Sequence, residues 1–137
     1  MREKVLIVHA WVIMSNHVHG ILSSRNGKLS DTIRNLKRHT SKAILKEVID
    51  GNESRREWML QQFRFAAGQH VRNEEFQVWT HENHPIELEG HLIDQRVDYI
   101  HNNPCEAGLV EEAEQYIYSS ARDYAGTKGL VTVEPLW

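Results

Sequence analysis

Two histidines, His17 and His19, stand one residue apart in the tripeptide His-Val-His. Because side chains alternate between the two faces of a β-strand, a strand over this tripeptide places both imidazoles on one face. Two imidazoles in that position can bind a single metal ion, and imidazole suits Zn, Mn, Fe, Ni and Cu. Oxygen ligands in the remaining positions favour Mg or Mn. The motif alone has low specificity, since histidine pairs on strands more often have a structural role.

A tyrosine and an asparagine further along the chain, Tyr99 and Asn103, form a second group of reactive residues. They are four residues apart, so on a helix the phenol and the amide project from the same face. A tyrosine oxygen is a competent nucleophile toward phosphorus when the phosphate is polarised. A metal ion held by two histidines and an asparagine oxygen would polarise that phosphate as a Lewis acid. Tyrosines in helices are usually core residues, so this interpretation depends on the histidine pair.

The secondary structure that must position these residues follows from apolar periodicity. Residues 5–14 are rich in β-branched and aromatic residues, and the turn residues Ser15 and Asn16 precede a second alternating run, so the two runs predict a hairpin. Pro104 is expected to end the helix that carries Tyr99, because proline disfavours helical geometry in the residue before it. The predicted strands are residues 5–14, 17–22, 76–79 and 130–133, the predicted helices are residues 29–49, 53–66 and 90–103, and residues 116–124 fit either a coil or a short helix.

Charge is unevenly distributed along the chain, although the net charge is only −3. Residues 25–64 contain ten basic and five acidic residues, whereas residues 74–114 contain eleven acidic residues and one basic residue, Arg96. Such asymmetry is typical of a protein with one basic binding face. On charge alone, a solvated helix face explains the pattern at least as well. On the predicted helix over residues 29–49 four cations recur at every fourth position and form one row: Arg34, Arg38, Lys42 and Lys46.

Length and composition exclude several classes of protein. The chain of 137 residues has 40% hydrophobic and 26% charged residues, which describes an ordinary globular protein and predicts a single domain over residues 1–137. Its one cysteine, Cys105, excludes an internal disulfide and a cysteine-cluster zinc finger, and a cytoplasmic location is expected. The longest apolar run is too short to span a membrane and no signal peptide is recognisable, so no membrane partner is expected.

Five sequence blocks point together to one family. The first contains histidine, a hydrophobic residue and histidine, here His17, Val18 and His19. Another, DYIHNNPCEAGLV, resembles a tyrosine helix that ends in Asn-Pro and is followed by the run Ala-Gly-Leu-Val. In content and order the blocks resemble the REP-associated tyrosine transposases, a branch of the single-tyrosine HUH transposases. The blocks cover most of the chain and are residues 5–22, 29–45, 76–85, 98–110 and 116–126.

The resemblance implies a metal-dependent endonuclease and strand transferase that acts on single-stranded DNA, the chemistry of DNA transposition and recombination. His17 and His19 would bind a Mg or Mn ion, with Asn103 as a third ligand. Tyr99 would attack the scissile phosphate, leaving a 5′-phosphotyrosine bond and a free 3′-hydroxyl. Three other residues are candidates for the third ligand: Asn102, His101 and His84.

The resemblance also implies a DNA partner, since the superfamily recognises imperfect hairpins with short flanking single strands. Basic side chains on the helix over residues 29–49 would contact phosphates, which position the nucleic acid without specifying its sequence. Trp58 and Trp79 would stack on unpaired bases, although a core position is the more common role of tryptophan. The protein would be a monomer or a homodimer and would associate with the nucleoid when bound to DNA. The candidate phosphate contacts are Arg34, Lys37, Arg38 and Lys42.

The implied fold is α+β, a ferredoxin-like sandwich in which helices pack on one face of an antiparallel sheet. The HUH strand would meet the tyrosine helix across that face, within one chain or between the two chains of a dimer. The family places a further strand and helix before the HUH strand, whereas only residues 1–4 precede the predicted hairpin, so the first strand and helix are expected to be missing. Their loss would leave an open sheet edge that invites pairing with another chain.

Two other functions fit the same residues. A truncated or domesticated relative would hold hairpin DNA without cutting it, which the missing N-terminal element favours and the intact Tyr99, His17 and His19 disfavour. A histidine-metal hydrolase would use metal-bound water and a general base, and would not need Tyr99. A covalent protein–DNA adduct separates these functions, because only the transposase-like enzyme requires one.

Overall fold

The computed structural model describes residues 5–51, 54–68, 76–79 and 87–137. In this part of the chain the fold is α+β, as predicted, with a two-stranded antiparallel sheet and four α-helices. No described helix is both long and apolar enough to cross a membrane. The chain divides into two compact units: unit 1 comprises Met1–Leu29 and Ile86–Trp137, and unit 2 comprises Ser30–Pro85.

The hairpin and the three longer helices lie close to their predicted positions. A further short helix falls in residues 116–124, the stretch that fitted either a coil or a short helix, so that stretch contains both. The elements are β1 (Leu6–Ile13), β2 (Val18–Ser24), α1 (Leu29–Asp50), α2 (Arg56–Ala67), α3 (Gly90–Glu106) and α4 (Ala121–Tyr124), with a 3-10 turn at Ala113–Gln115.

One face of the hairpin forms the core of unit 1. Ala10, Val12 and Met14 alternate along β1 and its end, and all three are buried. They pack against Val97 and Ile100 of α3. Residues directly opposite one another in an antiparallel pair share a face of the sheet. Because His19 lies opposite Val12, it is on the face that α3 covers.

The edge of β1 that faces away from β2 is bonded to two later segments of the chain. The Ile13 N–H donates to the Tyr118 carbonyl (2.8 Å), and the Ser120 N–H donates to the Trp11 carbonyl (2.9 Å). Towards the start of the strand, the Glu134 N–H donates to a β1 carbonyl at 2.9 Å. The strand predicted over residues 130–133 is not formed. In residues 125–137 the structure shows a single backbone hydrogen bond to β1, made by Glu134, whereas a strand would pair over several residues.

A buried polar group joins this edge to α3. Ser120 is fully buried, and its Oγ accepts the Trp11 N–H at 2.9 Å. The same oxygen lies 2.7 Å from Nε2 of His101, whose ring meets Tyr124 edge to face. Burial lowers the pKa of His101 below 6.5 and keeps the ring neutral at pH 7. Sheet, helix α3 and the C-terminal segment therefore share one hydrogen-bonded junction.

Helix α3 continues past the proline that was expected to end it. Pro104 lies inside the helix, which extends to Glu106, so that prediction is wrong. The proline lies in the last turn and its side chain is fully buried, and this burial offsets the helical hydrogen bond that proline lacks. The chain turns out of the helix at Gly108, whose φ of 77° suits glycine because it has no Cβ.

Unit 2 contains α1, α2 and the segment 76–79. The predicted strand over residues 76–79 is wrong, because the structure assigns no strand there. The Gln77 N–H instead donates to the Phe63 carbonyl at the end of α2 (2.9 Å). The indole of Trp79 donates to Thr40 Oγ1 of α1 (2.9 Å). Hydrogen bonds to helices take the place of strand pairing in this segment.

Replacing Ser120 by alanine is expected to lower the free energy of unfolding by about 2–4 kcal/mol, because it leaves the Trp11 N–H and His101 Nε2 buried without a partner. Urea denaturation at pH 7 measures the change. Ser30→Ala, at an exposed position of α1, is the control and should stay within about 0.5 kcal/mol. Equal effects of the two substitutions would contradict the role of Ser120.

Candidate functional site

The histidine pair lies where the hairpin turn enters β2. The Met14 N–H donates to the His17 carbonyl at 2.8 Å and closes the turn. His17 is exposed just before β2, whereas His19 is half-buried within it. Their rings meet edge to face, with centroids 4.9 Å apart and an interplanar angle of 82°. Both imidazoles therefore lie at one end of the hairpin, in direct contact.

A hydrogen bond from His17 to Asn16 sets the tautomer of the His17 ring. Nδ1 lies 2.6 Å from Asn16 Oδ1. An amide oxygen only accepts hydrogen bonds, so in the neutral ring Nδ1 carries the hydrogen and Nε2 carries the lone pair. Metal-binding histidines commonly have such a partner on their second ring nitrogen. Asn16 thus gives His17 the tautomer that a metal ligand needs.

The environment of His19 favours its uncharged form. Burial lowers the pKa of His19 below 6.5, and the neighbouring His17 and the positive charge of Arg96 lower it further. At neutral pH the ring is therefore uncharged. A divalent ion binds the lone pair of a neutral imidazole and not the protonated ring, so His19 is ready to bind a metal without first losing a proton.

Helix α3 brings Tyr99 to the histidines. Its neighbours Val97 and Ile100 are buried in the core, whereas the side chain of Tyr99 is 54% exposed. The Tyr99 ring meets the His19 ring edge to face, with centroids 5.5 Å apart. The hairpin and the helix, which are far apart in sequence, thus place two imidazoles and a phenol in one cluster at the surface of unit 1.

Asn103 is the best placed of the candidates for a third metal ligand. It lies one turn after Tyr99 on the same side of α3 and is half-buried. His101 is buried and hydrogen-bonded to Ser120, so it belongs to the junction with β1 and not to this cluster. Asn102 is exposed, and His84 lies outside the described residues.

The donor chemistry of this cluster fits a Mg or Mn ion. In a metal site here the two imidazoles would supply nitrogen, and the Asn103 amide would supply the oxygen that these harder ions prefer. Among the described residues, no three His, Cys, Asp or Glu side chains form a metal-binding group. The candidate set therefore depends on the Asn103 oxygen as the third protein donor, with the remaining positions open to water or substrate.

Arg96 acts electrostatically on the same site, although the motifs did not select it. It lies one turn before Tyr99 on α3, and its charge acts on His19. An arginine next to a candidate nucleophile can bind a phosphate with its planar guanidinium. The sequence held a signal for it, since Arg96 is the one basic residue in the acidic stretch over residues 74–114.

The candidate phosphate-binding side chains lie on α1, in unit 2. Arg38 and Lys42 are exposed, and Lys37 is half-buried. Arg34 is also exposed but forms an ion pair with Asp31 at 2.8 Å. Since that pair already neutralises part of its charge, Arg34 is a weaker candidate for a phosphate contact than Arg38 or Lys42.

Comparison with models of protein families, with curated proteins and with solved structures gives no match for this chain. The function is therefore inferred from the geometry around His17, His19 and Tyr99 and from the sequence motifs that contain them.

Replacing Asn103 by alanine is expected to weaken Mn²⁺ binding by at least about tenfold, because it removes the candidate oxygen donor. Titration followed by the electron paramagnetic resonance of free Mn²⁺ measures the affinity. Asn102→Ala, one position away on the exposed side of α3, is the matched control and should bind as the unchanged protein does. A larger loss in Asn102→Ala than in Asn103→Ala would show that Asn102 supplies the oxygen.

Proposed function

We propose that the protein is a metal-dependent endonuclease and strand transferase of single-stranded DNA, similar to the REP-associated tyrosine transposases. The observation that supports it best is the cluster in which His19 contacts both His17 and Tyr99. The two motifs are far apart in sequence, and a tyrosine nuclease of this class requires them to meet. The implied ferredoxin-like sandwich and the cytoplasmic location belong to the same proposal.

In the proposed reaction the Tyr99 oxygen attacks the phosphorus of a DNA phosphodiester. A bond forms between the tyrosine oxygen and phosphorus, and the bond from phosphorus to the 3′-oxygen breaks. The electron pair leaves with the 3′-oxygen, which takes up a proton to become a free 3′-hydroxyl, while the phenol loses its proton. The 5′-phosphate stays linked to Tyr99. A 3′-hydroxyl that later attacks this phosphotyrosine rejoins DNA without an external energy source.

The residues around Tyr99 have distinct tasks in this reaction. A divalent ion bound by His17, His19 and Asn103 would polarise the phosphate and stabilise charge in the transition state. Arg96 would bind a non-bridging phosphate oxygen and hold the phosphorus in line with the Tyr99 oxygen. The exposure of Tyr99 leaves its hydroxyl accessible to a DNA strand.

The substrate implied by the resemblance is hairpin DNA with flanking single strands. Exposed cations on α1, Arg38 and Lys42 among them, support a nucleic-acid partner. Such contacts bind the phosphate backbone and do not read the sequence. A module that holds hairpin DNA without cutting it would use the same cations but would not need the contact between Tyr99 and His19.

Replacing Tyr99 by phenylalanine is expected to abolish a covalent adduct between the protein and a labelled hairpin DNA in Mn²⁺ or Mg²⁺, because the attacking oxygen is lost. Denaturing gel electrophoresis detects the adduct as a slowly migrating band. Tyr118→Phe is the matched control, since Tyr118 is equally exposed at 54% and lies in the same unit.

Each outcome of this assay favours one function. Loss of the adduct in Tyr99→Phe and in His17→Ala, with Tyr118→Phe unaffected, supports the tyrosine nuclease. Cleavage that survives Tyr99→Phe would show that metal-bound water is the nucleophile. Hairpin binding without cleavage in the unchanged protein would favour the non-cleaving module.

Replacing Arg96 by glutamine is expected to slow adduct formation by roughly 10- to 100-fold, because one donor to the phosphate is lost. Arg96→Lys, which keeps the positive charge but lacks the planar guanidinium, should recover part of the rate. The Mn²⁺ affinity should not fall in either variant, since Arg96 donates nothing to the metal. Lys128→Gln removes an exposed cation of the same unit as the control, and an equal loss of rate there would point to general electrostatics.

A further inference from the structure

Two aromatic side chains of α2 lie in the solvent. The relative exposure of Trp58 is 55% and that of Phe65 is 68%, the largest exposure among the large hydrophobic residues that the structure describes. They are seven residues apart, which is two helical turns or about 10 Å along the axis, so they share one side of the helix. Gln61 and Gln62 are exposed between them. This surface of α2 is called here the Trp58–Phe65 face.

The opposite side of α2 is the side that packs. Ala67 is buried and Phe63 is half-buried, and the Phe63 carbonyl accepts the Gln77 N–H. The core of unit 2 therefore accounts for Phe63 and Ala67 and leaves Trp58 and Phe65 unexplained. Burying two such rings is worth several kcal/mol, so together they offer a ligand a favourable apolar surface on one side of the helix.

An arginine lies at the start of the Trp58–Phe65 face. The Arg55 guanidinium lies over the Trp58 ring, 5.6 Å from its centroid. Residues 54–68 contain three arginines and one glutamate. An open hollow lies beside the ring at the start of the helix and is lined by residues 54–58. A cation, an aromatic face and an adjoining hollow together suit a ligand with phosphates and flat rings.

We propose that the Trp58–Phe65 face binds single-stranded DNA, with unpaired bases stacked on both rings and a phosphate bound near Arg55. This inference rests on the proposed function for the class of ligand, which is single-stranded DNA. It adds the surface on which the unpaired bases bind. Gln61 and Gln62 carry amides that can donate to and accept from base edges. The amides also separate the two rings, whereas a protein-docking face of a helix has contiguous apolar side chains. Net positive charge favours a polyanion over an apolar partner.

The test measures binding of a fluorescently labelled 12-nucleotide oligothymidylate by anisotropy at low salt. Trp58→Ala and Phe65→Ala are each expected to weaken binding by about fivefold or more, as for the loss of a base stack. Trp58→Phe keeps a ring and should recover most of the affinity. Leu130→Ala is the control, a hydrophobic side chain of unit 1 with a comparable exposure of 64%, and should leave the affinity unchanged. Thermal unfolding verifies that all variants fold.

The proposal is overturned by any of three results. The first is that the unchanged protein binds a duplex of equal length as tightly as the single strand. The second is that both alanine variants bind as the unchanged protein does. The third is that the substitutions alter only the sedimentation coefficient, which would make this face an interface between proteins. Failure of the proposed enzyme activity gives a different result. If the unchanged protein forms no covalent adduct with hairpin DNA, but Trp58→Ala still weakens binding of oligothymidylate, the enzyme proposal is wrong and the binding surface stands. Tyr99→Phe should bind oligothymidylate normally.

Discussion

The packing of α3 on the inner face of the hairpin is the contact on which the candidate site depends. Val97 and Ile100 are buried against Val12, and Val12 lies opposite His19. Burying these two helix positions leaves Tyr99, which lies between them in sequence, at the border of the interface and beside the His19 ring. The contact between the Tyr99 phenol and the His19 imidazole is thus maintained by the apolar packing of α3 on the hairpin. The site depends on this rigid core more than on direct bonds between the histidines and the tyrosine.

The hairpin is stable in this arrangement because later segments of the chain satisfy its second edge. A two-stranded hairpin is marginal in water on its own. Backbone bonds from Tyr118, Ser120 and Glu134 reach the edge of β1, and the Ser120 hydroxyl also ties this edge to His101 of α3. The edge of β1 that faces away from β2 is thus hydrogen-bonded at these positions by segments that are not themselves strands.

The sequence predicted the parts of the fold that depend on local pattern. Alternation gave the hairpin, and the spacing of Tyr99 and Asn103 on a helix gave their common side of α3. The predictions from sequence were wrong where tertiary contacts determine the local structure. Burial of Pro104 lets α3 continue, and residues 76–79 bond to helices because α1 and α2 offer partners that no local pattern reveals. Arg96 was missed for a related reason, since its place beside His19 is set by the packing of α3 and not by a motif.

The order of the two units along the chain has a consequence for how the protein can change. Unit 1 is made from both ends of the chain, and unit 2 occupies the stretch between them. His17, His19 and Tyr99 all lie in unit 1, whereas the basic row of α1 and the Trp58–Phe65 face lie in unit 2. Under the proposed function, substitutions that change the preference for a DNA ligand can therefore accumulate in unit 2 while the reactive groups of unit 1 stay constant. Under that proposal, the surface that binds DNA can change independently of the residues that carry out the reaction.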